Sequence, residues 1–188
     1  MVVAMKSAKE HKEDNNLAAK KWTIRNIFWS TFITILGIVC FPANPLVLTG
    51  VLETNFYPAL FIVGWVVWAF GMVLVMAPII MFPRRGGVSK GKSFVNTTRL
   101  VDTGIYSLVR HPQYLGGIFT IFITTLLWYP HWLFAVLGVI GTLVIYISCR
   151  EEDQRLIEKF GDDYVDYMKR VPRMNIFLGI FHFLRYSK

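Results

Sequence analysis

Charge is scarce in this chain. Only 17% of its 188 residues are charged, 54% are hydrophobic, and just two are cysteine. Soluble domains carry roughly 25% charged residues, so the shortage argues against an ordinary soluble fold and for long apolar runs. Cys40 and Cys149 sit toward opposite ends of expected membrane spans, too far apart for a disulfide. Both read as small apolar fillers. No Cys/His group has zinc spacing, no phosphate-binding glycine loop or dinucleotide fingerprint occurs, and nothing supports a nucleophilic triad. No apolar h-region precedes the first apolar run, so no cleavable signal peptide is expected. Basic residues are missing from 49–56 and 129–131, whereas 1–26, 83–110 and 150–188 hold six, six and eight of the twenty. This is the positive-inside pattern. The net charge of +8 therefore reports topology and, secondarily, attraction to anionic lipid, and a nucleic-acid partner is not expected.

What is present predicts an all-α membrane protein in one domain, 1–188. Its four transmembrane helices are expected at 27–48, 57–82, 112–128 and 132–149, with N and C termini cytoplasmic. Residues 1–26 read as a flexible cytosolic tail. Pro42 and Pro45 should fray the outer end of the first span, and Pro78 should kink the inner end of the second. Gly64 and Gly71, seven apart, share a face that another helix can approach closely. Pro112 suits the first turn of the third span. Tyr129-Pro130-His131 is short enough only for a tight hairpin, which makes spans three and four antiparallel neighbours. Trp128, Tyr129 and Trp132 look like an interfacial aromatic belt.

After Arg150 the chain is highly charged, yet Leu156, Phe160, Tyr164, Tyr167 and Met168 recur at helical spacing. The expectation is a C-terminal cytosolic amphipathic helix continuing from the fourth span, interrupted at Gly161 and ended by Pro172. The apolar stretch 174–186 is too short to span and should lie on the membrane.

Two polar clusters flank the hairpin. One is Gly104-Ile105-Tyr106 with Arg110-His111-Pro112-Gln113-Tyr114; the other is Glu151-Glu152. Antiparallel packing brings both to the cytoplasmic mouth of one helical pair. Glu152 lies four residues before Leu156 and so extends the apolar stripe backwards. A carboxylate there is costly unless a cation meets it, either Arg110 or a ligand. Read alone, Glu152 is equally a solvated acid favouring a helix N-terminus, and His111 equally a helix cap. Arg110, His111 and Glu152 are the candidate catalytic residues.

Taken together, the text Leu100-Val101-Asp102-Thr103-Gly104-Ile105-Tyr106, Arg110-His111-Pro112-Gln113-Tyr114-Leu115-Gly116, Glu151-Glu152, Leu156, Phe160-Gly161, Tyr164, Tyr167 and Val171-Pro172-Arg173 resembles the isoprenylcysteine carboxyl methyltransferase and phospholipid methyltransferase superfamily. The resemblance covers about 100–173, the expected cofactor-binding core. It implies methyl transfer from S-adenosylmethionine to a lipophilic acceptor, with the active site facing the cytoplasm. It also implies a cofactor site of Leu100, Val101, Tyr106, His111, Pro112, Gln113, Tyr114 and Glu152, the last meeting the cofactor's ammonium. Thr98 and Arg99 align with the start of this segment, though their types match less well. The position where the family's arginine is thought to hold a substrate carboxylate is Ser148 here. Arg150 lies roughly 200° further around the helix and is not an easy replacement; Ser148, Arg150 and Arg173 are the candidate acceptor contacts. Gly91 stands where a cofactor-contacting glutamine is expected. A lipid amine or thiol therefore stays open beside a prenylcysteine carboxylate. The alternative is a sterol-reductase-like, NADPH-dependent membrane oxidoreductase. Those enzymes share a His-Pro-x-Tyr pattern but usually have more spans, and Asn where this chain has Gln113.

Overall fold

The computed structural model describes residues 45–88 and 97–186, and every regular element among them is helical. Of the expected first span, only the short helix α1, Pro45–Leu48, falls within the described residues.

Helix α2 runs over Pro58–Arg85, with proline in its first turn and Arg84 and Arg85 in its last. Proline's fixed φ suits the start, and cations suit the negative end of the dipole. The helix continues a turn beyond the expected 82, through Pro83, and also passes unbroken through Pro78. A proline costs a helix one backbone hydrogen bond, yet the helical bonding resumes beyond Pro83, where Gly86 N donates to Phe82 O at 2.8 Å.

Gly64 and Gly71 form the close-approach face expected of them. The Trp128 indole covers Gly64 and donates Nε1–H to Phe61 O at 3.0 Å. A Cβ on Gly116 would lie 2.6 Å from the Gly71 carbonyl oxygen, so the two backbones are in contact.

The partner is a continuous helical run made of α3, Pro112–Gly117, a π-helical stretch, Ile118–Ile123, and α4, Thr124–Trp128. Its ends match the expected 112–128. The threonine hydroxyls bond inside the run: Thr120 Oγ1 donates to Gly116 O and Thr124 Oγ1 to Phe119 O, both at 2.9 Å. Buried hydroxyls are thus satisfied without leaving the helix.

After the hairpin, helix α5 spans Trp132–Phe160, with His131 Nδ1 accepting from Leu133 N at 3.2 Å as its cap. The Phe122 ring lies against Gly141, making the third and fourth runs neighbours. Helices α2 and α5 are long and apolar enough to cross a membrane, with mean hydropathy 2.4 and 2.2. Only 17% and 22% of their apolar stretches are buried within the protein. A soluble core helix buries most of such a surface; here it faces outward, as it does toward lipid.

The apolar part of α5 ends at Cys149 and charge begins at Arg150, yet the helix continues to Phe160. Gly161 breaks it at φ +61°, ψ −137°, a conformation open essentially to glycine alone. Helix α6, Asp162–Arg170, then folds back. Its Tyr164 and Tyr167, with Val171, form a buried cluster against Leu100, Leu156, Ile157, Phe160 and Met168. The helical stripe seen in the sequence is this core. Helix α7, Ile176–Tyr186, follows. Gly179 rests on the Leu108 carbonyl, while Phe177, Phe181 and Leu184 are exposed.

Candidate functional site

The site is built where five segments meet. Gly104, at φ +64°, starts a 3-10 turn, Gly104–Ser107. Tyr167 Oη donates to the Tyr106 carbonyl at 2.6 Å and pins this turn to α6. Phe82 stacks on Tyr106 at 5.3 Å between ring centroids, 29° between planes. Arg110 N donates to Pro172 O and His111 N to Arg173 O, both at 3.1 Å. The extended stretch after α6 is therefore clamped beside the Arg-His-Pro start of α3. Thr98 N and Arg99 N donate to Gly86 O at 2.8 and 3.1 Å, tying the segment before Leu100 to the end of α2.

At the centre lies Asp153, only 1% exposed. His111 Nε2–H donates to its Oδ1 at 2.8 Å, as does Tyr164 Oη at 2.6 Å. Arg173 Nε donates to Oδ2 at 2.7 Å, and Arg110 Nη2 lies 3.3 Å from the same oxygen. Because a carboxylate only accepts, His111 must carry its proton on Nε2. Burial alone would push the Asp153 carboxyl up, but the hydrogen bonds from His111, Tyr164 and Arg173 outweigh it and hold it well below the usual carboxylate range. Burial, then the bond to Asp153, pushes the Tyr164 hydroxyl far above its ordinary value, and burial does the same for Tyr106 and Tyr167.

Beside this hub is a cavity of about 270 Å³. Phe82 comes from α2, Leu100, Val101 and Tyr106 from the connecting segment, and Arg110 to Gln113 from the start of α3. Glu152, Arg155 and Leu156 come from α5, and Tyr164 and Tyr167 from α6. His111 and Glu152 thus border the same space.

Eight of the expected residues line the cavity: Leu100, Val101, Tyr106, Arg110, His111, Pro112, Gln113 and Glu152. Arg99, the weaker match, lines it too, whereas Gly91 lies outside the described residues. Tyr114 is not in the wall; its ring lies edge-on to His111 at 5.6 Å. The three expected acceptor contacts also lie off the cavity. Ser148 Oγ donates to Val144 O at 3.1 Å, Arg150 is exposed, and Arg173 holds Asp153 while its guanidinium lies 5.1 Å from the Tyr146 ring centroid. Arg110 is not the cation that meets Glu152. It turns to Asp153, and Glu152 pairs with Arg155 one helical turn on.

Asp153 is not among the residues expected from the sequence, which end at Glu151-Glu152 in this helix. The signal was there: Cys149, Asp153, Leu156 and Phe160 follow helical spacing, which puts Asp153, rather than Glu152, on the buried stripe.

The model of the phospholipid methyltransferase family matches residues 59–163, more than half of the chain, and the chain belongs to this family. Among curated proteins it is similar to protein-S-isoprenylcysteine O-methyltransferase of Rattus norvegicus, 33% identical over 135 residues, covering 64% of this chain and 45% of that protein. It is likewise similar to methanethiol S-methyltransferase of Pseudomonas deceptionensis, 30% identical over 117 residues, covering 60% of this chain and 42% of that protein. The chain thus spans less than half the length of these relatives. Both are methyltransferases by name, and none of the matches favours the reductase alternative. No solved structure matches the chain.

Proposed function

We propose that the protein is an S-adenosylmethionine-dependent membrane methyltransferase acting on a lipophilic acceptor at the cytoplasmic membrane boundary. In this reading the chain is one domain with four spans, 27–48, 57–82, 112–128 and 132–149, both termini on the cytoplasmic side, and a cofactor-binding core at 100–173. The observation that carries it is one cavity bordered by His111 and Glu152, residues from two segments 41 positions apart in the chain.

The lining suits an amino-acid nucleoside. Glu152, its side chain 23% exposed, offers a carboxylate to an ammonium. The stacked rings of Phe82 and Tyr106, with Leu100 and Val101, offer flat apolar wall to a purine. When bound, the cofactor supplies an electrophilic methyl carbon on a sulfonium. The chain supplies alignment and exclusion of water. Asp153, whose carboxyl is held well below the usual carboxylate range, fixes Arg110, His111 and Tyr164 through its hydrogen bonds and ion pairs. Glu152 keeps a partly wet position where its exchange from Arg155 to a ligand costs little. The acceptor is a prenylcysteine carboxylate or a lipid amine or thiol, entering from the bilayer.

Isothermal titration of the detergent-purified protein tests this. S-adenosylhomocysteine should bind and NADPH should not. Glu152→Ala should weaken S-adenosylhomocysteine binding at least tenfold, about 1.4 kcal/mol, with an unchanged melting temperature. Equal affinity in Glu152→Ala would remove that residue from the site; binding of NADPH alone would overturn the methyltransferase reading.

A further inference from the structure

Arg110 carries more donors than the protein uses. Its side chain is 6% exposed and it lines the cavity. Nη2 faces Asp153, but Nε and Nη1 are buried without a hydrogen-bond partner. Asp153 cannot take them. Its Oδ1 already accepts from His111 and Tyr164, and its Oδ2 already meets Arg173 and Arg110. One carboxylate therefore stands between two guanidiniums, and the buried cluster keeps an excess positive charge. A buried donor without an acceptor costs stability, and a guanidinium that stays charged cannot escape by losing its proton. The other cations of the cavity wall, Arg99, Arg155 and Lys159, are exposed and can turn to water.

We infer that Arg110 is a ligand-binding residue that takes a carboxylate inside the cavity. This rests on the methyltransferase reading and deepens it. A carboxylate is the chemistry that completes the site, since it brings one negative charge and acceptor lone pairs to two planar, desolvated donors. Two molecules of the reaction can supply it. One is the methyl donor, whose amino-acid end would then be held at its ammonium by Glu152 and at its carboxylate by Arg110. The other is an acceptor ending in a carboxylate, for which Ser148 provides no cation.

The test compares four probes by titration in detergent: S-adenosylhomocysteine, its decarboxylated analogue 5′-(3-aminopropylthio)-5′-deoxyadenosine, farnesyl-thiopropionic acid, and the corresponding primary amide. Wild-type protein should prefer the acid member of one pair by about tenfold to a hundredfold. Arg110→Met should abolish that preference by weakening the acid alone. Loss of preference in the nucleoside pair assigns Arg110 to the methyl donor; loss in the prenyl pair assigns it to the acceptor. Arg110→Lys keeps a cation beside Asp153 and should retain the fold while losing most of the preference. The inference is overturned if wild-type protein binds S-adenosylhomocysteine yet distinguishes neither pair, a result that needs no variant. A preference that survives both substitutions overturns it equally. No binding of either nucleoside to wild-type protein would instead bring down the methyl-donor reading, and this inference with it.

Discussion

His111 and Asp153, 42 positions apart in the chain, are joined by a 2.8 Å hydrogen bond in the protein interior. The bond links the start of the third helical run to the charged extension of the fourth. Arg110, His111 and Tyr164, all in the cavity wall, are held through this pair.

Removing the hub's charge should cost stability. Asp153→Asn leaves Arg110 and Arg173 facing each other without their shared counterion. Breaking a buried ion pair costs about 3–5 kcal/mol, so the variant should melt well below wild type in a detergent thermal scan. A melting temperature within a degree of wild type would show that the hub contributes nothing net.

The same pair of proteins predicts a pH dependence. The folded-state carboxyl of Asp153 is held below its unfolded value, so its stabilisation is present above the unfolded value, about 3.9, and is lost as pH falls toward the folded value. The stability gap between wild type and Asp153→Asn should therefore be flat from pH 7 to about 5 and shrink below about 4. Melting temperatures across pH 3–7 measure it, and a gap that closes near neutrality would contradict the assignment.

Tyr167→Phe removes the hydroxyl that holds the Tyr106 carbonyl. An unsatisfied buried acceptor costs about 1–3 kcal/mol. The 104–107 turn should loosen, and S-adenosylhomocysteine affinity should fall several-fold. Unchanged affinity would mean that Phe82 stacking alone positions Tyr106.

Gly161→Ala meets no neighbour, since nothing lies within 4 Å of the added Cβ. Its cost is therefore purely conformational, about 1–3 kcal/mol for a non-glycine residue at this φ, ψ. Gly116→Val is the opposite case. Its φ is ordinary, but its side chain meets the Gly71 carbonyl and Leu74, and overpacking costs about 1–3 kcal/mol. Both should lower the melting temperature. Shortening Val75 to Ala removes the Cγ2 that a Cβ at 116 would meet at 2.9 Å, and should recover part of the loss in Gly116→Val and none in Gly161→Ala.

The fold was legible wherever the chain's own chemistry is local. Pro112, Trp128 and Trp132 mark helix ends because proline starts helices and a three-residue link allows only a hairpin. Gly64 and Gly71 announced a close helix contact because small residues permit it. The family text from Leu100 to Arg173 led to most of the cavity wall. The expected acceptor contacts did not join it. Ser148 shares the face of Glu152 but lies one turn nearer the apolar part of α5, Arg150 points to another face, and Arg173 is held by Asp153.

From the residues in order came the apolar helices, the hairpin, the amphipathic stripe and the place where polar groups converge, since each follows from periodicity, proline and glycine placement, or the distribution of lysine and arginine. Only the tertiary structure decided which acid is buried and which cation it keeps. Glu152 and Asp153 are adjacent and chemically alike, but one residue is 100° of helix. That rotation turns Asp153 to four donors, three of them buried, and leaves Glu152 at the cavity edge, a distinction set by packing across the molecule.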